Sequence, residues 1–191
     1  MNGAGNAFIL ADARDRSGPV TIPVSRIREW DRLWPFDQLL VLETSDRADA
    51  FMRIWNCDGQ EVGACGNGTR AAAWQMMAET GRNALAIDTA AGVLHASRMG
   101  NGQVSVDMGV PKLDWQEIPL ARPMETISLD FRAEIDGVRI ENPGAVNMGN
   151  PHAVFFVRDV ENLPVEKLGR EVEFDPTFPD RVNAGFAQIY D

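Results

Sequence analysis

The sequence predicts a mixed α/β protein organised around a helix that other elements enclose. Three observations predict it. The run Ala71-Ala72-Ala73-Trp74, followed by Met76, Met77 and Ala78, leaves almost no polar face. A helix that is apolar all round is buried on all sides. Short strand-like runs bounded by glycine turns lie on both sides of this helix in the chain. A proline-broken stretch, Leu113 to Pro123, then separates a further set of strands from the first, so the chain divides into two domains, 1–113 and 114–191.

In chain order, Gly3-Ala4-Gly5-Asn6 is a backbone-permissive turn, and Phe8 to Asp12 reads as a strand. Asn6 is either a turn residue or an amide placed in a pocket at the strand start. Ser25 as N-cap, with Ile27, Trp30 and Leu33 at helical spacing, predicts a short surface helix that Pro35 ends. Gln38 to Glu43 is a strand, with Gln38 at its mouth. Phe51 to Asn56 is the next, closed by an Asp58-Gly59 hairpin turn. The enclosed helix spans 66–80, between Cys65 and the stop at Gly81.

Three strands follow, Ala84 to Thr89, Val93 to Ser97 and Gln103 to Met108, separated by Gly92 and Gly100-Asn101-Gly102. His95 lies in the middle one and reads as a half-exposed sheet residue. Beyond the proline-rich break, strands are expected at Glu125 to Phe131, Val138 to Glu141, Ala145 to Met148 and Ala153 to Val157. Val160 to Arg170 is read as a helix or helical turn, Phe174 to Pro179 as a loop, and Val182 to Tyr190 as a last strand. No apolar helix accompanies these strands, so the second sheet is expected to expose an apolar face.

Composition excludes several classes. The net charge of −10, from 28 acidic and 18 basic residues, opposes nucleic-acid binding, which needs a basic face. Cys57 and Cys65 stand eight apart with no third ligand type beside them, so neither a zinc site nor a disulfide framework is indicated. The segment Gly63 to Arg70 lacks the lysine of a phosphate-binding loop. There is no basic signal segment and no apolar run long enough to span a bilayer, which makes a soluble cytoplasmic protein without membrane partners the default.

Chemistry concentrates at Cys65. The first turn of a helix carries unpaired N–H groups and partial positive charge, which favour a thiolate, so the Cys65 pKa is expected to fall. The alternative is an inert, buried thiol. Gly66 and Gly68 would let the backbone approach an anion such as a carboxylate. Asn6, Asn56, Asn67, Asn150 and Asn183 recur at strand or turn mouths. Singly each suits a turn, but together they suggest an amide-rich pocket for a zwitterionic amino acid. On residue types alone, a Cys65/His152 cysteine hydrolase is the rival.

The segment Cys65-Gly66-Asn67-Gly68-Thr69-Arg70, preceded by Asn56-x-Asp58-Gly59-x-Glu61, resembles the first active-site motif of the diaminopimelate epimerases. Met1-Asn2-Gly3-Ala4-Gly5-Asn6-Ala7-Phe8 and Phe36-Asp37-Gln38-Leu39-Leu40 resemble earlier family motifs. Ala145 to His152 and Phe178 to Phe186 resemble later ones. The resemblance implies two pseudo-symmetric α/β domains, each a mainly antiparallel sheet curled around a central helix, with the active site between them. It implies interconversion of LL- and meso-2,6-diaminopimelate in lysine biosynthesis by two thiols, with no pyridoxal phosphate or other cofactor. Cys65 would be one thiol. His152 would support catalysis, Gly66 and Asn67 would hold the α-carboxylate, and Asn6, Gln38, Asn56, Asn150 and Asn183 would bind substrate.

The pattern departs at Ala7, where the family has aspartate, at Trp34-Pro35, which replaces a glycine-rich approach, and at Cys57, where alanine is usual. The family's Glu-Arg-Gly motif, second cysteine and second central helix are not in the sequence. The second domain is therefore expected to be incomplete, the chain to be a fragment, and the fragment to be inactive or no more than an amino-acid-binding relic. Proline or hydroxyproline as substrate, and a homodimer, are compatible with the sequence.

Overall fold

The computed structural model describes residues 1–3 and 5–190 and divides into two units, Met1–Gly109 and Val110–Asp191. In the first, β1 (Asn2–Gly3) and β2 (Asn6–Asp12) precede α1 (Val24–Leu33), β3 (Gln38–Glu43), β4 (Ala50–Asn56) and β5 (Glu61–Val62). Then come α2 (Gly66–Thr80), β6 (Ala84–Thr89), β7 (Gly92–Arg98) and β8 (Val104–Asp107). The strands form one sheet in the order β1-β2-β3-β4-β6-β7-β8, with β5 paired to β4. Two pairs are parallel, β2 with β3 and β4 with β6, and a helix crosses over between the strands of each. The other pairs are antiparallel.

Alternation along β3 explains the layers. Successive side chains of a strand point to opposite faces. Leu40 and Leu42 join α2's Ala72, Ala73, Met76 and Met77 in one core cluster. Leu39 and Val41 join Ile27 of α1, Phe36 and Trp55 in another. A strand buried on both faces has no polar side to show, hence the nearly continuous apolar run at Gln38–Glu43.

The enclosed helix is present over 66–80, and Gly81 closes it in the left-handed region at φ 70°. Strands β1, β2, β3, β6, β7 and β8 pack against it. One expectation fails: the helix is not buried all round. Trp74 is 46% exposed because it faces the gap between β1 and β8, the two ends of the sheet. A groove of about 1120 Å³ runs there, with Arg70, Ala71 and Trp74 along α2. A smaller correction concerns α1. The helix begins at Val24, one residue before the expected cap, and Pro23 precedes it with no side-chain cap. Proline's fixed φ suits a helix start.

The second unit holds a hairpin, β9 (Arg132–Ile135) with β10 (Val138–Glu141), and a sheet of β11 (Gly144–Asn147), β12 (Pro151–Phe156) and β13 (Asn183–Ala187). Strands β12 and β13 are parallel, and α3 (Val165–Glu173) crosses between them. Its core gathers Leu129, Phe131, Ile140, Ala153, Phe155, Leu168, Val172 and Phe178. Phe131 meets Phe155 edge-on at 5.8 Å between ring centroids.

The stretch Glu125 to Phe131 is not a strand. Leu129 and Phe131 do alternate into the core, which gives it a strand's pattern, but its backbone meets Pro143 and Ala145 through isolated bonds rather than a ladder. The third helix begins at Val165, five residues later than expected, because Pro164 can only stand at a helix start. On the far face of β12 from Phe155, Phe156 is 69% exposed, in line with the expected apolar face. Among the described residues no helix is long and apolar enough to cross a membrane.

Tight packing around α2 sets the first prediction. A Cβ at position 68 would lie 3.0 Å from Leu40 Cδ2, and Leu40 is fully buried. Gly68→Ala gains roughly 1 kcal/mol of helix propensity, but overpacking costs about 1–3 kcal/mol. A net loss of about 1 kcal/mol is expected in urea denaturation. At position 66 the Cβ would meet only the flexible Met108 Sδ, at 3.2 Å. Gly66→Ala is therefore expected to cost less than Gly68→Ala, and the reverse order would refute the packing argument.

Candidate active site

The register of the first sheet brings one end of four elements together. Strands β2 and β3 run parallel, with Phe8 opposite Gln38, so both begin at the same end. Strand β4 is antiparallel to β3, with Gln38 opposite Asn56, so it finishes there. Gln38 Nε2 donates to Asn56 Oδ1 at 3.1 Å. The N-terminus of α2 joins this end through Asn67, whose Nδ2 donates to Asn6 Oδ1 at 2.8 Å. Sequence-predicted residues thus meet in two amide pairs. Asn6 Nδ2 and Asn56 Nδ2 have no hydrogen-bond acceptor among the described residues.

Cys65 is the N-cap of α2. Its extended backbone, φ −148°, turns the chain into the helix, and its Sγ accepts from the Gly68 N–H at 3.3 Å. Thr69, fully buried, anchors the same residue: its N–H and its Oγ1 both donate to the Cys65 carbonyl at 2.8 Å. The flanking glycines are bordered from behind. The Cβ positions at 66 and 68 face Met108 and Leu40, not open space.

The expected fall in the thiol's pKa is not found. Burial comes first and pushes the Cys65 thiol above its ordinary value. The Gly68 and Asn67 N–H groups and the Arg70 charge pull it down by less. Helix-end stabilisation is present, but withdrawing the thiolate from water costs more. Cys57, half-buried near Asp31 and Asp58, is also raised, chiefly by burial.

In the second unit, His152 and Asn183 are direct partners across the parallel β12–β13 pair. His152 Nε2 lies 3.0 Å from Asn150 Oδ1. An amide oxygen can only accept, so Nε2 carries the hydrogen and Nδ1 is left as an acceptor. Burial holds the imidazole below its ordinary value, and therefore neutral at pH 7. Asn183, exposed, donates to the Pro151 carbonyl at 3.0 Å. Among the described residues no three His, Cys, Asp or Glu side chains cluster in a way that could hold a metal.

Sequence reasoning missed one member of the site. Arg70 Nη2 donates to Asn67 Oδ1, in a half-buried position. The available signal was a lone cation in the apolar part of the helix, close to its N-terminus.

The family model described as diaminopimelate epimerase matches residues 1–113. The diaminopimelate epimerase of Phenylobacterium zucineum is 46% identical over 99% of this chain, which covers 69% of that protein. That of Acidiphilium cryptum is 47% identical, with 67% covered, and that of Brucella anthropi 43%, with 65% covered. The chain thus spans about two thirds of the length of these curated relatives. Among solved structures, a PhzF-family phenazine biosynthesis protein of Bacillus anthracis superposes with a TM-score of 0.51 at 18% identity, over 100% of this chain and 64% of its own. A predicted epimerase of Pseudomonas aeruginosa gives 0.51 at 18% identity, over 86% and 62%. At such identity these two share the fold alone, a sheet curled on a helix.

The burial of Cys65 is open to direct test. In the Cys57→Ser protein, iodoacetamide alkylation followed against pH is expected to have its midpoint above that of the same chain unfolded in urea. A lower midpoint would mean that the helix end outweighs burial. The folded thiol holds its proton more tightly than the unfolded one. It therefore supports folding below the unfolded value, and that contribution is lost as pH rises through the folded value.

Proposed function

The chain belongs to the diaminopimelate epimerase family, and from that membership we propose that it carries one thiol of a cofactor-independent, two-thiol epimerisation of 2,6-diaminopimelate between its LL and meso forms. The observation that carries this reading is the 46% identity to a curated diaminopimelate epimerase across 99% of the chain. A cysteine capping the central helix supports it.

In this reading the Cys65 thiolate takes the α-proton from one face while a second thiol gives its proton to the opposite face. The pair ends as thiol and thiolate exchanged, with no change in redox state. An α-proton beside a carboxylate is a very weak acid. A thiolate with a raised pKa is the stronger base for it, at the cost of a smaller thiolate fraction at neutral pH. The developing carbanion draws stabilisation from N–H groups at the start of α2 directed at the substrate carboxylate. Gly66 and Asn67 fill that role. Asn6, Gln38 and Asn56 hold the amino-acid head groups through neutral donors and acceptors, which leave the substrate's own charges unaltered. Asn150, His152 and Asn183 take their substrate-binding and supporting roles from the motif match.

The chain has two cysteines, and Cys57 follows β4 rather than capping a helix. The second thiol of the pair is therefore not supplied by these 191 residues. The proposed setting is lysine biosynthesis in the cytoplasm.

Protein purified from the source organism is expected to wash the α-hydrogen of LL-diaminopimelate into deuterated solvent. Cys65→Ala should lower that rate by about 10²–10⁴-fold, the range a general base contributes. Exchange that survives Cys65→Ala would remove Cys65 from the chemistry. The 191-residue chain alone, assayed by chiral chromatography, is expected to give no meso product. Sustained turnover there would overturn the two-thiol reading.

A further inference from the structure

We propose that Arg70 is a positioning residue that fixes the hydrogen-bond polarity of the Asn67–Asn6 pair, so that Asn6 presents its NH₂ rather than its carbonyl oxygen outward to an anionic group such as a substrate carboxylate. The placement in a substrate pocket rests on the epimerase reading; the polarity itself does not.

The arrangement is a directed row. Arg70 Nη2 donates to Asn67 Oδ1, and Asn67 Nδ2 donates to Asn6 Oδ1 at 2.8 Å. A guanidinium has only donors, whereas a carboxamide has one donor end and one acceptor end. An arginine at the head of the row therefore admits one orientation. Asn67 must turn its oxygen to Arg70, its NH₂ then faces Asn6, and Asn6 must accept through its oxygen. What remains of Asn6 is the NH₂ group, which has no acceptor among the described residues. Remove the donor-only head, and both amides can rotate together through half a turn with the bond between them re-formed in the opposite sense. Asn6 would then show an oxygen, which repels a carboxylate.

The position of Arg70 has no other evident basis. It lies in the second turn of α2, where a cation opposes the helix dipole. No carboxylate pairs with it among the described residues, although other arginines of this unit, such as Arg14, Arg47 and Arg53, each have at least one. Its hydrogen bond goes to a neutral amide oxygen. The helix start also lies close to β1: a Cβ on Gly3 would lie 3.3 Å from the Asn67 backbone carbonyl. The positive charge further draws the Cys65 thiol downward, against the larger effect of burial.

Two substitutions separate polarity from packing. Arg70→Met keeps an apolar stem but donates nothing. Arg70→Lys keeps a donor-only head. Side-chain amide signals of Asn6 and Asn67 are followed by ¹H–¹⁵N NMR in the ¹⁵N-labelled chain, with nuclear Overhauser contacts to locate each NH₂. Wild type and Arg70→Lys are expected to show one set, with the Asn67 NH₂ against Asn6 and slowed solvent exchange. Arg70→Met is expected to show two sets or a reversed contact. A single unchanged set in Arg70→Met would overturn the proposal, as would equal disruption by Met and Lys. Should Arg70→Met not fold, Arg70→Gln, whose amide can donate or accept, is expected to give the same two sets.

In protein from the source organism, Arg70→Met should raise KM for LL-diaminopimelate by about ten- to hundredfold, the worth of one hydrogen bond to a charged group, with a smaller change in kcat. Reversed amides in a protein whose wild type exchanges no α-hydrogen would leave the polarity standing and remove the epimerase reading. Unchanged amides in an active enzyme would do the opposite.

Discussion

The first unit depends on how closely a sheet can approach a helix. The contact face of α2 is made of Gly68, Ala71, Ala72 and Ala73 at one end and Met76 and Met77 at the other, all buried. Small side chains let β3 pass near the helix axis, and methionines, flexible enough to fill irregular space, occupy the wider part. The close end is also the chemical end. Because Leu40 lies against Gly68, the first turn of α2 is held against the sheet within reach of the strand mouths that carry Asn6 and Gln38. Packing and site geometry are one constraint seen from two sides.

The same closeness sets the electrostatics. A thiol at a helix N-terminus gains from N–H groups and dipole, and these reach Cys65 through Gly68 and Asn67. The sheet that fixes the helix also excludes water, and desolvation of a thiolate is the larger effect. The result is a protonated thiol already solvated by protein donors for the moment it ionises. Neutral amides around it are consistent with that state. Fixed carboxylates beside the thiol would have raised it further, and a fixed cation in direct contact would have removed its strength as a base.

Much of the first unit was legible because its signals are local. Glycine and proline punctuation and period-2 alternation gave β3 and β6 to the residue, and Gly81 marked the end of α2. The second unit was read less well. Leu129 and Phe131 mimic a strand because burial alternates there, yet strand status depends on a ladder partner that no local pattern records. The hairpin of β9 and β10 was missed on its first strand, although Asp136-Gly137, at φ 55° and 77°, is the dipeptide a two-residue hairpin turn prefers. Within the site, motif resemblance named Cys65 and the amides. It did not show which amide meets which, nor that burial would outweigh the helix end. Trp74 fell outside the expectation for the same reason: a gap between sheet ends is a property of topology, not of a helical pattern.

The glycines on either side of Asn67 carry a consequence for how such a chain changes over generations. The space their side chains would take is bordered by the protein's own residues, Gly66 by the half-buried Met108 and Gly68 by the fully buried Leu40. A substitution at 68 alone is penalised, but after a smaller residue arises at 40 the same substitution meets open space. Acceptable histories at this helix start are therefore ordered: the core position must drift first. Divergence of the motif would then be read at 40 together with 68, and a descendant that has lost Gly68 should already carry its mark on the strand behind it.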